Sequence, residues 1–181
     1  MSEQPSSPAT TTPLERAVRE IERHAAEGDW DAPPRIYALV ATVDLMQRYP
    51  DVGVRLLADD TQTAGELTPV EQEALPEDEP LEDVLAGIGW PPEVLGCALV
   101  VERLVLPPGA EDEAPSEKIA VESWAAVHPD REEVRMVVGV LRDGSSACAL
   151  RLRSHDEDHE VITGPDLVPG LIAGLGDTLD D

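Results

Sequence analysis

From residue 12 onward the hydrophobic positions switch between helical and strand spacing, and the switches predict the elements. Thr12-Pro13-Leu14-Glu15 reads as a capping box with proline at the first helical position; Leu14, Val18, Ile21 and Ala25 follow at helical spacing and Gly28 ends the run. Arg16, Arg19, Glu20 and Arg23 fall on the other side, so this helix is expected at the surface with one stripe buried. Arg35 to Ala41 is β-rich and apolar at both alternating sets of positions, as an inner strand is. Thr42 is expected to cap a short helix through Leu45, Met46 and Tyr49 that stops at Pro50. From Val52 to Leu75 the pattern decides little, and Leu67-Thr68-Pro69-Val70-Glu71 suits a helix start as well as an extended edge segment.

In the second half, Pro80 to Ile88 predicts a helix with Leu81, Val84, Leu85 and Ile88 on one stripe. Trp90-Pro91-Pro92 leads into a strand over Val94 to Leu106, and Ile119 to Val127 is a further helix. Val134 to Arg142 and Ser145 to Arg153 flank Asp143-Gly144, which specifies a two-residue hairpin turn. That register groups Val137, Leu141, Cys148, Leu150 and Leu152 on one face, and Val134, Met136, Val138, Val140, Ala147 and Ala149 on the other. Both faces are apolar, so the hairpin is expected to be central and covered on both sides. A short strand near Val161-Ile162 and a helix over about Asp166 to Leu179 close the chain.

The fold expected is one α+β domain over residues 12–181: a mixed, mainly antiparallel sheet of four to five strands with a central Asp-Gly hairpin, packed by three to five helices. The Ser-, Thr- and Pro-rich residues 1–11 are expected to be a disordered tail, and residues 107–116 a mobile acidic loop. Two stretches share an order: a helix beginning Pro13-Leu14-Glu15 or Pro80-Leu81-Glu82, then Trp30 or Trp90, a Pro-Pro and an apolar strand. Duplication produces such an echo, and so does coincidence among common punctuating residues. In either case each Trp is expected to plug a helix–strand junction.

Composition sharpens this picture at three points. The chain is 41% hydrophobic but has no Phe, so the core must be aliphatic with the few aromatics as large plugs. Its 38 acids against 13 bases give a formal charge of −25, which repels nucleic-acid phosphates and anionic membranes. Twelve of the bases are Arg and the thirteenth is Lys118. Cys97 and Cys148 lie inside apolar runs and are expected to be reduced, buried hydrophobes. The polar N-terminus lacks the basic and apolar regions of a signal peptide, and the longest apolar stretch, Val94 to Val101, is too short for membrane insertion. A cytoplasmic location is the expectation.

Candidate chemistry is sparse. Arg142, Arg151 and Arg153 are expected on one hairpin face with Arg103 on another strand; converging, they would bind phosphate or carboxylate, and otherwise their stems would cover the sheet while the guanidiniums pair with acids. Trp30 and Trp90 complete the set of candidate ligand- or partner-binding residues. His155-Asp156-Glu157-Asp158-His159 holds the only weak metal candidates, His155 and His159, and an exposed loop pair is short of the four fixed ligands of a typical zinc site, so no metal or cofactor is expected. Asp29 and Asp31 beside Trp30 suit a turn better than a cation site. Ser145 and Ser146 lie outside any nucleophile elbow, no His adjoins a Cys, and no phosphate-cradling glycine motif occurs.

Gly96-Cys97-Ala98-Leu99-Val100-Val101-Glu102-Arg103, Arg131-Glu132-Glu133-Val134-Arg135, Gly139-Val140-Leu141-Arg142-Asp143-Gly144, Cys148-Ala149-Leu150-Arg151-Leu152-Arg153 and Thr163-Gly164-Pro165-Asp166-Leu167-Val168-Pro169-Gly170-Leu171 together resemble an uncharacterised actinobacterial protein family of about this length. The resemblance runs from the first helix to the last and implies a bacterial cytosolic protein with no assigned activity. Two functions stay open: a non-enzymatic interaction or accessory protein that binds another protein, or a small-molecule or anion-binding domain, enzymatic or not, using the Arg-bearing sheet face and the Trp corners.

Overall fold

The computed structural model describes residues 11–49, 51, 66–107 and 109–180, so nearly all of the expected N-terminal tail lies outside the described residues. In chain order the elements are α1 (Pro13–Ala26), β1 (Arg35–Ala41), α2 (Thr42–Arg48), β2 (Leu67–Glu71), α3 (Leu81–Ala86), β3 (Val94–Val105), α4 (Lys118–Ala126), β4 (Glu132–Leu141), β5 (Ser146–Leu152), β6 (Ile162–Gly164) and α5 (Pro169–Leu179). The strands form one open sheet in the order β2-β1-β3-β4-β5-β6, every neighbouring pair antiparallel. The expected mixed sheet of four to five strands is therefore corrected to six antiparallel strands. The undecided run Leu67–Glu71 supplies the extra one as edge strand β2. Pro69 fits an edge, and Thr42, expected as a helix cap, instead shares a 2.8 Å hydroxyl contact with Thr68 while its N–H donates to the Glu66 carbonyl.

Helix α1 covers one face of the sheet. Its capping box is complete: Thr12 N–H donates to the Glu15 carboxylate (2.9 Å) and Glu15 N–H to the Thr12 hydroxyl (3.1 Å). Leu14, Ala17, Val18, Ile21 and Ala25 pack there with Tyr37, Leu39, Ala98, Val100, Val137, Ala147 and Ala149. Helices α3 and α5 cover the opposite face, over Ile36, Cys97, Leu99, Val101, Val138, Val140 and Cys148. The last helix starts at Pro169 and not at Asp166, because the residue before a proline is steered out of helical geometry and Val168 lies at φ −135°. Residues 107–116 contain a 3₁₀ turn at Ala110–Glu113 with Ala110 buried.

The hairpin carries the second correction. Leu141 N–H donates to the Ser145 carbonyl (2.9 Å) and Gly144 N–H to the Leu141 carbonyl (3.0 Å), so the connection is the three residues Arg142–Gly144, with Gly144 at φ +89°. A turn followed by a positive-φ residue is the usual three-residue hairpin with a bulge. One residue more in the loop moves the register by one, pairing Val134 with Leu152, Met136 with Leu150 and Val138 with Cys148. Val134, Met136, Val138 and Val140 thus share the α5 face with Cys148, Leu150 and Leu152. Arg135, Val137 and Gly139 share the α1 face with Arg151, Ala149 and Ala147.

Gly139 lets α1 lie this close. A Cβ there would stand 2.7 Å from Val18 Cγ2 and 3.0 Å from Leu14 Cδ1. Gly139→Ala is expected to push α1 off the sheet and cost roughly 1–3 kcal/mol. Thermal denaturation checks it, and an unchanged melting temperature would show that α1 tolerates displacement.

Candidate functional site

The arginines expected to converge lie on two faces, and each face uses them differently. On the α1 face the register sets Glu102, Arg135 and Arg151 side by side across β3, β4 and β5. Arg135 and Arg151 are 1% and 2% exposed, which for a guanidinium requires partners. Arg135 donates to Glu102 at 3.1–3.2 Å and to the Asp29 carbonyl at 3.2 Å. Arg151 donates to both oxygens of Glu22 from α1 (2.5 and 3.2 Å), to Asp156 (3.1 Å) and to Asp158 (2.7 Å).

Glu22, itself buried, is the residue that sequence reasoning missed, together with Glu102 and Arg135. A signal existed. Glu22 falls between Val18 and Ala25 at spacings of four and three, on the apolar stripe, and a charge in that position needs a buried partner.

Trp30 closes this cluster. Its ring lies 4.4 Å from the Arg135 guanidinium carbon and 5.6 Å from that of Arg153, and its Nε1–H donates to Asp156 at 3.0 Å. It is half-buried over cations and belongs to neither apolar core, so it does not plug a helix–strand junction as expected. The Trp30 hydrogen bond, and after it Arg151, hold the Asp156 carboxyl below its ordinary value. Arg153, exposed, pairs with Asp31 (3.1 Å) and Glu133 (2.7 Å), and Asp31 at φ +67° donates its N–H to Glu102 at 2.7 Å. His155 and His159 are exposed, and the aspartates at 156 and 158 between them are turned to Arg151. Among the described residues no group of three or more His, Cys, Asp or Glu could hold a metal ion.

On the opposite face Arg142 is a clamp. It donates to the carbonyls of Val94 (2.8 Å), Leu179 (2.6 Å), Trp90 (3.1 Å) and Pro91 (3.2 Å), tying the end of α5 to the start of β3. Trp90 does cover a helix–sheet junction, packing on the α5-side core and donating to Thr178 at 3.0 Å. Cys97 contacts Thr178 Oγ1 at 3.5 Å, and burial pushes its thiol up against the partial offset of that contact. Arg103 is exposed at the far end of this face, and no carboxylate among the described residues pairs with it.

Arg103 borders a groove of about 730 Å³ between α3, α5 and the sheet. Leu81, Leu85, Met136, Val168 and Leu171 line it, with Gly170, Ala173 and Gly174 along α5 and Glu82 and Asp177 as its acids. From its Met136 wall an apolar row continues across the sheet through Leu150 to Ile162, which is 47% exposed on edge strand β6.

A family model described as PPA1309-like protein matches residues 14–180. The chain belongs to the PPA1309-like family. The match spans the domain from α1 to α5, in agreement with the resemblance to an uncharacterised family. Neither the curated proteins nor the solved structures give a match. Among the described residues no helix is long and apolar enough to cross a membrane.

Two measurements check this geometry. Glu22→Ala leaves Arg151 buried without its main partner and is expected to cost about 3–5 kcal/mol in urea denaturation, whereas Glu22→Leu with Arg151→Met should recover most of the loss. A small effect of the single change would remove the pair from the core. Cys97 and Cys148, both free and buried, should react with a thiol reagent only on unfolding. Fast modification of the native protein would contradict the burial that raises the Cys97 thiol.

Proposed function

We propose that this protein is a non-enzymatic, cytosolic accessory domain that binds another protein through the groove between α3 and α5. The observation that carries this reading is the groove's lining: aliphatic walls with one Arg and two acids, and no buried polar group converging on a common point. A small-molecule site needs a few convergent polar groups to orient its ligand, whereas an apolar groove with charged edges suits partner side chains. Support also comes from the anion-binding alternative, whose chemistry is otherwise engaged. Arg151 and Arg153 are held by carboxylates and Arg142 by backbone carbonyls. Trp30 stacks on cations and Trp90 packs in the core. Of the four candidate arginines, Arg103 has no carboxylate paired with it among the described residues, and one exposed cation binds anions weakly.

Gly170 provides a test, because it lines the groove and a Cβ there meets nothing within 4 Å, so a larger side chain can be placed at the groove without an internal clash at Cβ. The wild type, used as bait in native cytosol, is expected to retain one partner in stoichiometric amount. Gly170→Leu, folded to the same melting temperature, is expected to lose it. Retention by the blocked variant would move the interface elsewhere, and a large thermal shift with a small anion would favour the alternative.

A further inference from the structure

We infer that the partner segment is a cationic amphipathic helix, seated with its apolar stripe in the α3–α5 groove and its basic residues toward Glu82 and Asp177. The inference rests on the docking reading above and adds the chemistry of the occupant. Three features of the surface select it.

The groove is bounded by two helices and floored by the sheet, and its apolar residues lie along α5 at Val168 and Leu171 and along α3 at Leu81 and Leu85. A groove flanked by helices is read by side chains that recur at helical spacing on one stripe. The charge around it is asymmetric. Leu179 and Leu175 of α5 lie against Arg142 and Cys97 at one end of the sheet, so the N-terminal turn of α5 points toward the Arg103 end. Asp177 therefore lies toward the end away from Arg103, and Glu82 adds a second carboxylate to the rim. A docked helix gains most with its own cations near Asp177 and Glu82, and with its C-terminal carbonyls toward Arg103.

The wider field acts the same way. At a formal −25 the chain attracts cationic segments and repels a second copy of itself. Arg135 and Arg151 are buried against carboxylates of the chain, so their charge does not offset the acids outside, which outnumber the bases. A neutral helix with the same apolar stripe would lose this contribution, and an acidic one would in addition meet repulsion.

Two fluorescein-labelled peptides of identical apolar stripe, one with lysines and one with glutamates on its polar face, separate the terms by anisotropy on the full chain. The lysine peptide is expected to bind saturably, to weaken as salt is raised, and to lose about tenfold or more in affinity with Gly170→Leu. The exposed pair Glu82→Lys/Asp177→Lys should weaken it by a similar factor and let the glutamate peptide bind. Equal binding of both peptides to the wild type would overturn the charge assignment, and binding of the lysine peptide unaffected by Gly170→Leu would place it on the general acidic surface. If neither peptide binds while wild type, and not Gly170→Leu, still captures its partner, the helix proposal falls and the docking reading survives. If capture fails as well, both fall. Self-association of the wild type that Gly170→Leu abolishes would make a second copy the occupant and overturn the proposal.

Discussion

A glutamate on the buried stripe of α1 meets an arginine near the end of β5, and the arrangement of the α1 face depends on that pair. Glu22 and Arg151 are both almost inaccessible, so each needs an opposite charge against it there. Their contact fixes where α1 lies and at what rotation, since a turn of the helix about its axis would carry Glu22 off the guanidinium. From the segment after β5, Asp156 accepts from the remaining nitrogen, Nη1, and Asp158 shares Nη2 with Glu22, which holds that segment to the guanidinium. Trp30, bonded to the same Asp156 and stacked on Arg135, then ties the segment between α1 and β1 to this charged row. A buried ion pair adds little net stability compared with a well-packed apolar pair. Its effect here is to specify one docking geometry for elements whose aliphatic surfaces could slide.

That specification matters because the core has no Phe and little shape of its own. Val, Leu, Ile and Ala fill both sides of the sheet, and similar aliphatic side chains interlock less distinctively than a mixture with large rings. Two features compensate. Gly139 leaves a recess in β4 into which Val18 and Leu14 fit, setting the distance of α1 from the sheet. Arg142 gathers four carbonyls from three segments at the opposite corner, so the end of α5, left with unsatisfied acceptors like any helix C-terminus, is fastened to the start of β3.

Most of the fold was legible because the periodicities of its long elements are unambiguous. The capping box of α1, the inner character of β1, the span of β3 and the existence of the β4–β5 hairpin all follow from spacing and punctuation. The hairpin register was not legible, because Asp-Gly serves two-residue and bulged three-residue loops alike, and only the pairing of Leu141 with Ser145 distinguishes them. That single residue decided where the arginines went. With the shorter loop Arg142, Arg151 and Arg153 seemed to share a face; with the longer one Arg151 turns in toward Glu22 while Arg142 reaches the end of α5. Edge strand β2 stayed ambiguous because its five residues include Pro69 and carry no alternation. The buried charge row went unread for a related reason: Glu102, Arg135 and Arg151 each sit in a strand apolar on both faces, and a charge there looks like an interruption until its neighbour across the sheet is known.

The same economy of cations links the interior to the surface. A chain with 13 bases and 38 acids has few cations to place, and the structure holds several of them inside, against carboxylates and carbonyls that would otherwise go unpaired. Each cation held in this way neutralises a buried partner and leaves another acid outside without a counterion from the chain. Repulsion among those acids opposes compaction, which buried clamps such as Glu22–Arg151 and Arg142 counter from within. The exterior is then predominantly negative, and Arg103 stands beside the aliphatic groove between α3 and α5. On the proposed docking reading, a surface of that kind would discriminate by sign before shape: cationic segments would be drawn in over a Debye length, and the apolar groove would select among them.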